Sequence, residues 1–322
     1  MIDEDLLRRG LDLTLAQTQF EGLGQLQRGK VRDSYRWPDG RRAIVVSDRV
    51  SVYDRVIGTV PFKGQILNGI SNYWFEATAD VCENHLLEAI DPAVSVVLEC
   101  EAFPVEVVVR GFLTGSSATS LWTLYAAGER MPYGHALPEG LREHEPLAAP
   151  LITPTTKGAV GEHDLPLSLA EVRQRGLLAA DEMEAVTSSA LALFARGQML
   201  AAERGLLLVD TKYEFGRTPD GRVIVIDEIH TPDSSRYWLA ESYEDALSRG
   251  EAPLSIDKDF LRHHMRARGF CGEGEPPPLS DDTRLEATQR YLALYKQLTG
   301  CELLIDASPP EERIERSLRR AF

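Results

Sequence analysis

Between Gly205 and Trp238 the chain reads GLLLVDTKYEFGRTPDGRVIVIDEIHTPDSSRYW, and no other stretch restricts the fold so tightly. Leu206 to Val209 and Val223 to Ile226 are short aliphatic runs bounded by turn residues, and Thr218-Pro-Asp-Gly221 between them predicts a hairpin. Asp210, Lys212 and Glu214 alternate with Thr211 and Tyr213, so the three charged side chains point to one face of the first strand. Pairing symmetric about Pro219–Asp220 sets Asp227 opposite Lys212 and diagonal to Glu214. Asp210, Glu214, Asp227 and Lys212 then share one patch. Carboxylates that close repel unless a cation sits among them, and such oxygen ligands suit Mg²⁺, which also takes substrate phosphates. A solvated ladder of ion pairs is the alternative for any single pair. Four charges between deeply apolar runs, followed at once by Thr231-Pro-Asp-Ser-Ser-Arg236, point instead to a phosphate and metal centre.

The chain has 322 residues, enough for about two domains. Its net charge of −15 argues against general affinity for nucleic acid or an anionic membrane. Local basic groups decide whether an anionic small substrate binds, so that class stays open. Cys82, Cys100, Cys271 and Cys301 show no C-x-x-C spacing, which argues against a zinc site or a disulfide framework and fits a reducing compartment. The opening MIDEDLLRRGLDL lacks a signal-peptide core, and no run approaches the ~20 apolar residues of a membrane helix. A cytoplasmic protein is expected. Nothing in the composition sets an oligomeric state.

Along the chain, Trp37-Pro-Asp-Gly40 marks a hairpin and Ala43–Val46 a strand. A helix is expected over about 65–80, then strands at Val94–Glu99 and Val105–Val109. The fold class is α+β, with a small antiparallel-rich lobe over roughly the first third. Residues 128–168 are rich in Pro, Gly and Thr and read as a long functional loop. Ala180–Arg204 is a helix stopped by Gly205; Gly272–Pro278 is a linker; Ser280 caps a last helix reaching Leu298.

Pro104-Val-Glu-Val-Val-Val-Arg-Gly-Phe-Leu-Thr-Gly-Ser-Ser117 carries a second signal. A strand ending at Arg110, glycines at 111 and 115 and a helix starting near Ser116 or Ser117 make a phosphate cradle, with Arg110 as a bidentate partner. A capped helix after a glycine turn needs the same residues, so both readings stand. Gln27-Arg-Gly-Lys-Val-Arg32 places Lys30 and Arg32 in an early hairpin; taken alone it reads first as an exposed basic strand and matches neither a Walker A nor a dinucleotide fingerprint, although a glycine hairpin with lysine can cover nucleotide phosphates. Ser47-Asp48-Arg49 puts polar groups at a strand end. Lys157, Glu162, His163 and Asp164 gather in the long loop; His263-His264 reads as surface. No G-x-S-x-G or other nucleophile motif occurs.

Seven blocks together resemble one family, phosphoribosylaminoimidazole-succinocarboxamide synthase (SAICAR synthetase): GKVRDSY (29–35), SDRVSVYD (47–54), VEVVVRGFLTGSS (105–117), TPTTKGAVGEHD (153–164), VDTKYEFG (209–216), IDEIHTPDSSRYW (226–238) and DKDFLR (257–262). The resemblance implies that ATP, with Mg²⁺ as cofactor, drives the joining of L-aspartate to carboxyaminoimidazole ribonucleotide (CAIR) to give SAICAR, ADP and phosphate. It implies a kinase-like ATP lobe over 1–110, a larger α+β lobe over 111–270 and C-terminal helices over 271–322. By the same resemblance Lys212, Glu214 and Asp227 are catalytic, with Glu214 and Asp227 on the metal, and Lys30 and Arg32 join them on ATP. Arg110, Ser116, Ser117, Asp233, Ser235 and Arg236 fall on substrate positions, and Lys157, His163 and Asp164 lie where the family closes over its substrates.

Two positions depart from the pattern. Phe62 stands where the family commonly has glycine, and His230 where an aliphatic residue is usual. Two other functions fit parts of the same sequence. A small-molecule kinase would share the ATP lobe but need a base beside an acceptor alcohol. A nucleotide-binding regulator would show erosion at Lys212, Glu214 or Asp227, and all three are intact.

Overall fold

A computed structural model of the chain describes residues 4–157 and 165–322. The first part contains α1 (Glu4–Gly10), β1 (Gln25–Arg28), β2 (Arg32–Arg36), β3 (Arg41–Val46), β4 (Arg49–Val52), β5 (Arg55–Thr59), α2 (Lys63–Ala77), β6 (Leu86–Asp91) and β7 (Val94–Leu98). The second has β8 (Glu101–Phe112), α3 (Leu121–Ala126), β9 (Pro146–Ile152), β10 (Thr155–Thr156), α4 (Leu169–Gln174), α5 (Ala180–Ala202), β11 (Leu206–Arg217), β12 (Val223–Ile226) and β13 (Ser235–Leu239). Helices α6 (Ala240–Arg249), α7 (Asp259–Ala267), α8 (Asp281–Thr299) and α9 (Pro310–Ala321) follow. The expected α+β class holds.

Strands pair antiparallel in the order β1-β2-β3-β7-β6, and alternation along them sends side chains to two covered faces. Tyr35, Ala43, Val45, Val94 and Val96 face α9, whose Ile314 and Leu318 are fully buried. Each of those two contributes roughly 1.5–3 kcal/mol by the burial of an aliphatic side chain. Val46 and Ile44, on the opposite face, meet α2 through Ile66, Leu67 and Ile70. Helix α8, capped by Ser280 accepting from Thr283 N, packs on the outside of α2.

The second sheet is organised around its two longest strands, β8 and β11, which pair antiparallel; β8 starts at Glu101 and so belongs to this sheet from its first residue. The other strands are β9 and β10 on β8, and β12 and β13 on β11. Val186, Ala190, Leu193, Phe194, Gly197 and Ala201 recur at three and four residues along α5 and form the stripe that packs on this sheet.

The structure corrects three expectations. The segment 128–168 is not one long loop: it contains β9 and β10, and Leu137, Leu141, Leu147 and Leu151 close over a small core of Leu113, Leu121, Tyr125 and Tyr133. The helix expected at Ser116 or Ser117 begins at Leu121, because the chain turns through Gly115 at φ 110° first. The β11–β12 hairpin pairs Arg217 with Val223 and Glu214 with Ile226, one residue out of the expected register. Among the described residues no helix is long and apolar enough to cross a membrane.

Candidate functional site

Strand β11 supplies the spine of the site. Tyr213 and Phe215 turn into the core, leaving Lys212 and Glu214 on the other face, as the alternation requires. Directly across from Glu214 on β8 stands Glu106, a like-charged pair that is unfavourable unless neutralised. The chain neutralises both members. Lys212 Nζ donates to Glu106 Oε1 at 2.6 Å, and Lys157 Nζ, just beyond β10, donates to Glu214 Oε2. Burial alone would lower the Lys212 pKa, but the charges of Glu106 and Glu214 outweigh it and hold the ammonium above the ordinary lysine value.

The one-residue shift in register changes which acids arrive here. Strand β12 ends at Ile226, and Asp227 then takes a left-handed backbone, φ 69°. Asp227 therefore does not sit in the ladder opposite Lys212. It lies at the end of the strand, where Lys212 and Lys157 still act on its charge. Arg32, reaching over from β2, binds Asp227 through Nη1 and Glu228 through Nη2, the latter at 2.5 Å. Burial would raise the Asp227 carboxyl, and Arg32, Lys212 and Lys157 reverse this to hold it at about 2. Glu214 and Asp227 thus share Lys212 and Lys157 as cationic neighbours.

Beside the Arg32 fork lies a cavity between the first sheet and α2 with a mixed lining, in which Asn68, Ser71, Asn72 and His85 stand among Ile44, Leu67 and Phe75. Burial pushes the His85 imidazole down to about 4, against the charge of Asp227.

A second cationic group sits at the far end of β11. Arg236 Nη1 binds Asp210 Oδ2 at 2.8 Å, and Arg110 Nη1 approaches the same oxygen at 3.6 Å. Arg110 Nε donates to Thr153 Oγ1 at 2.8 Å. Two guanidinium groups therefore bracket one carboxylate, beside the loop carrying the exposed Ser116 and Ser117. Asp210 thus belongs to this group and not to a single patch with Glu214.

Other expected site residues are placed differently. Lys30 Nζ binds Asp54 Oδ1 at 2.7 Å on the rim, across from the β4–β5 turn. Asp233 is buried between Lys63 Nζ at 2.7 Å and Lys258 Nζ at 3.4 Å. Ser235 Oγ shares a 2.7 Å hydrogen bond with Thr211 Oγ1 between β13 and β11. Glu162, His163 and Asp164 lie outside the described residues. Asp48 and Arg49 are framework groups: Asp48 accepts from Leu15 N and Gly64 N, and Arg49 binds Asp33 at 2.8 Å.

Sequence reasoning missed Glu106, Glu228, Lys63 and Lys258. Glu106 had a visible signal, an acid inside an apolar strand in phase with Arg110. So did Glu228, as the second of two acids ending a strand. Lys63 and Lys258 lie far from Asp233 in sequence, and neither local pattern announces the pairing.

The departure at His230 is now physical. The ring is fully buried at φ 51°, bonded through Nε2 to the Tyr213 hydroxyl and edge-on to Trp74 at 4.6 Å between centroids. A Cβ at Gly197 would stand 2.4 Å from His230 Cε1, so the glycine makes room for the imidazole.

Comparison with known proteins adds four findings. The SAICAR synthetase family model matches residues 25–274. A relative from Mesorhizobium japonicum, called a putative phosphoribosylaminoimidazole-succinocarboxamide synthase 2, is 49% identical over 311 residues, covering 96% of this chain and 99% of its own. Among solved structures, the Saccharomyces cerevisiae SAICAR synthase complexed with SAICAR superposes with a TM-score of 0.78 at 29% identity, covering 91% of this chain and 100% of that one. A SAICAR synthetase in complex with ADP shares the fold, with a TM-score of 0.67 at 21% identity over 87% of this chain and 100% of its own.

Proposed function

The chain belongs to the SAICAR synthetase family, and from that premise we infer what each part of the cleft does. It is an ATP-dependent ligase of purine biosynthesis, joining L-aspartate to CAIR to give SAICAR, ADP and phosphate. The observation that carries this reading is the row of paired charges where the two sheets meet: Lys212 with Glu106, Lys157 with Glu214, and Arg32 with Asp227 and Glu228.

A carboxylate is a poor electrophile toward an amine, so ATP must first turn one of its oxygens into a leaving group. An acyl phosphate is the most economical route: the CAIR carboxylate oxygen takes the γ-phosphoryl group, the α-amine of aspartate attacks the carbonyl carbon and phosphate leaves. Such chemistry rests on positioning and charge stabilisation, which accounts for the missing nucleophile motif. Lys212, held protonated, offsets charge on the phosphoryl group in transfer. Lys30 and Arg32 meet the ATP phosphates from the first sheet. Arg110 and Arg236 take the phosphate side of CAIR, aided by the hydroxyls of Ser116 and Ser117. Lys157, with His163 and Asp164, closes over the substrates. Asp233 and Ser235 are occupied by the chain's own groups and act by holding the 227–236 segment in place.

Glu214 and Asp227 are hard oxygen donors beside this phosphate path. Among the described residues no cluster of three or more potential ligands forms a ready cage. Mg²⁺ is commonly held by one or two carboxylates with substrate phosphates completing its shell, so the two residues fit it. When bound, the ion would neutralise phosphate charge. The acidic chain, at a net charge of −15, fits a cytoplasmic enzyme of small molecules.

The test is turnover with ATP, Mg²⁺, CAIR and L-aspartate, following SAICAR and ADP together. Product that needs all four supports the ligase. ADP formed without aspartate, beside a stable phosphorylated product, sinks it in favour of a kinase.

A further inference from the structure

Asp227 and Glu228 are consecutive, and the left-handed turn at Asp227 lets one guanidinium reach both. That guanidinium comes from the other sheet. Arg32 lies on β2, with only 14% of its side chain exposed, and donates a different nitrogen to each acid. A fork with two parallel arms matches paired oxygens in direction as well as charge. The neighbouring acids are served separately, Glu106 by Lys212 and Glu214 by Lys157. These four carboxylates thus face three cationic side chains, and Lys258 also acts on Glu228.

We propose that Arg32 is the resident counter-ion of Asp227 and Glu228, that a divalent cation taking Asp227, with Glu214 as its second carboxylate, must displace it, and that the freed guanidinium then turns to the anionic substrate. The proposal rests on the ligase reading for the identity of that substrate, a metal-bound nucleotide, but its geometry stands by itself. A dication added at Asp227 with Arg32 in place would sit within a few ångströms of a fixed positive charge, and that repulsion is strong in a partly buried site. Released, the guanidinium has somewhere to go. The cavity it already lines carries Asn68, Asn72 and the Ser71 hydroxyl, which has no hydrogen-bond partner among the described residues. The device would keep the two acids partly neutralised in the free enzyme and make metal and nucleotide arrive together, since the phosphates repay the loss of the ion pair.

The experiment is calorimetric titration of Mn²⁺, without nucleotide, into the wild-type protein and into Arg32→Gln and Arg32→Lys. Displacement predicts that Arg32→Gln binds Mn²⁺ about tenfold more tightly than wild type, a factor worth ~1.4 kcal/mol. Arg32→Lys has no fork to span both acids and falls between, and because it keeps a charge for the fold it carries the test if the glutamine variant does not fold. Equal or weaker Mn²⁺ binding by a folded variant overturns the counter-ion role, since Arg32 would then support the metal ligands instead of competing for them. Titration of wild type with Mg²⁺ and ATP separates the two claims. No nucleotide binding there counts against the ligase reading, whereas normal nucleotide binding with weakened Mn²⁺ affinity in the variants counts against Arg32 alone.

Discussion

Replacing His230 with Asn isolates the energetic cost of keeping an imidazole dry. The ring is 0% exposed, and burial pushes its pKa down to about 3. In the unfolded chain it returns to the ordinary histidine value near 6.5. Between those two values the unfolded state binds a proton that the native state refuses, so stability falls as the pH falls. The contribution is complete above pH 6.5 and is lost as the pH drops toward 3. At pH 5 the loss is about 2 kcal/mol, from one and a half pH units at ~1.4 kcal/mol each. Absolute stability curves hide this, because Asp48 and Asp257, raised by burial to about 6, titrate nearby with the opposite sign. The difference between wild type and His230→Asn cancels those contributions. Asn accepts a left-handed backbone more readily than most residues, and any constant cost of the substitution drops out of the pH dependence. The assay is urea unfolding of both proteins at pH 8, 6.5 and 5. Wild type should lose about 2 kcal/mol relative to the variant between pH 8 and 5. Parallel behaviour across that range would mean that His230 titrates alike in both states, and the burial argument would fail.

Four further outcomes follow from the same geometry. Lys212→Ala should lower kcat at least ~10²-fold, as loss of a charge stabiliser in transfer does, while circular dichroism remains native; a folded variant with near-normal rate removes Lys212 from the mechanism. Asp233→Asn leaves Lys63 and Lys258 without their shared carboxylate and should cost roughly 3–5 kcal/mol of stability in urea. A change below ~1 kcal/mol, the range of exposed pairs, would show the triad to be solvated. Phe62→Gly relieves a φ of 59° worth ~1–2 kcal/mol, but removes a ring that is 95% buried, at roughly 3–5 kcal/mol; net destabilisation is expected, and a rise in Tm would show that strain dominates. Gly197→Ala should be severely destabilising, and His230→Ala in the same chain should recover part of the loss; no recovery would mean that the clash with the Leu208 side chain decides it.

What the sequence made legible was local. Alternation along 210–214 put Lys212 and Glu214 on one face, and the structure keeps them there. The i, i+4 stripe of α5 and the Ser280 cap of α8 follow from spacing and side-chain chemistry within a few residues. The register of the hairpin was not legible. Thr218 Oγ1 bonds Asp220 and Thr218 N bonds Arg222 O, so a five-residue loop replaces the symmetric turn, and side-chain bonds of that kind leave no trace in hydropathy. Where Arg32 reaches was illegible for a different reason. Its nearer partner, Asp227, is 195 residues away, just past a strand of the other sheet, and only the packing of the two sheets brings them together. Motif blocks pointed to Asp233 as a group on the substrate, whereas burial between two lysines depends on α2 and α7 converging there.

The position of α9 sets the order in which the protein can be completed during synthesis. The first sheet is translated early, yet the face formed by Tyr35, Val45 and Val96, covered in part by Leu15, Leu23 and Phe20, is not closed until Ile314 and Leu318 arrive, after the whole second sheet. Trp37 waits likewise for the ring of Phe322. Until α9 is made, part of this apolar face therefore lacks its cover, and contacts of such long separation close slowly. Bulk attached after Phe322 meets the one helix that this early lobe is waiting for.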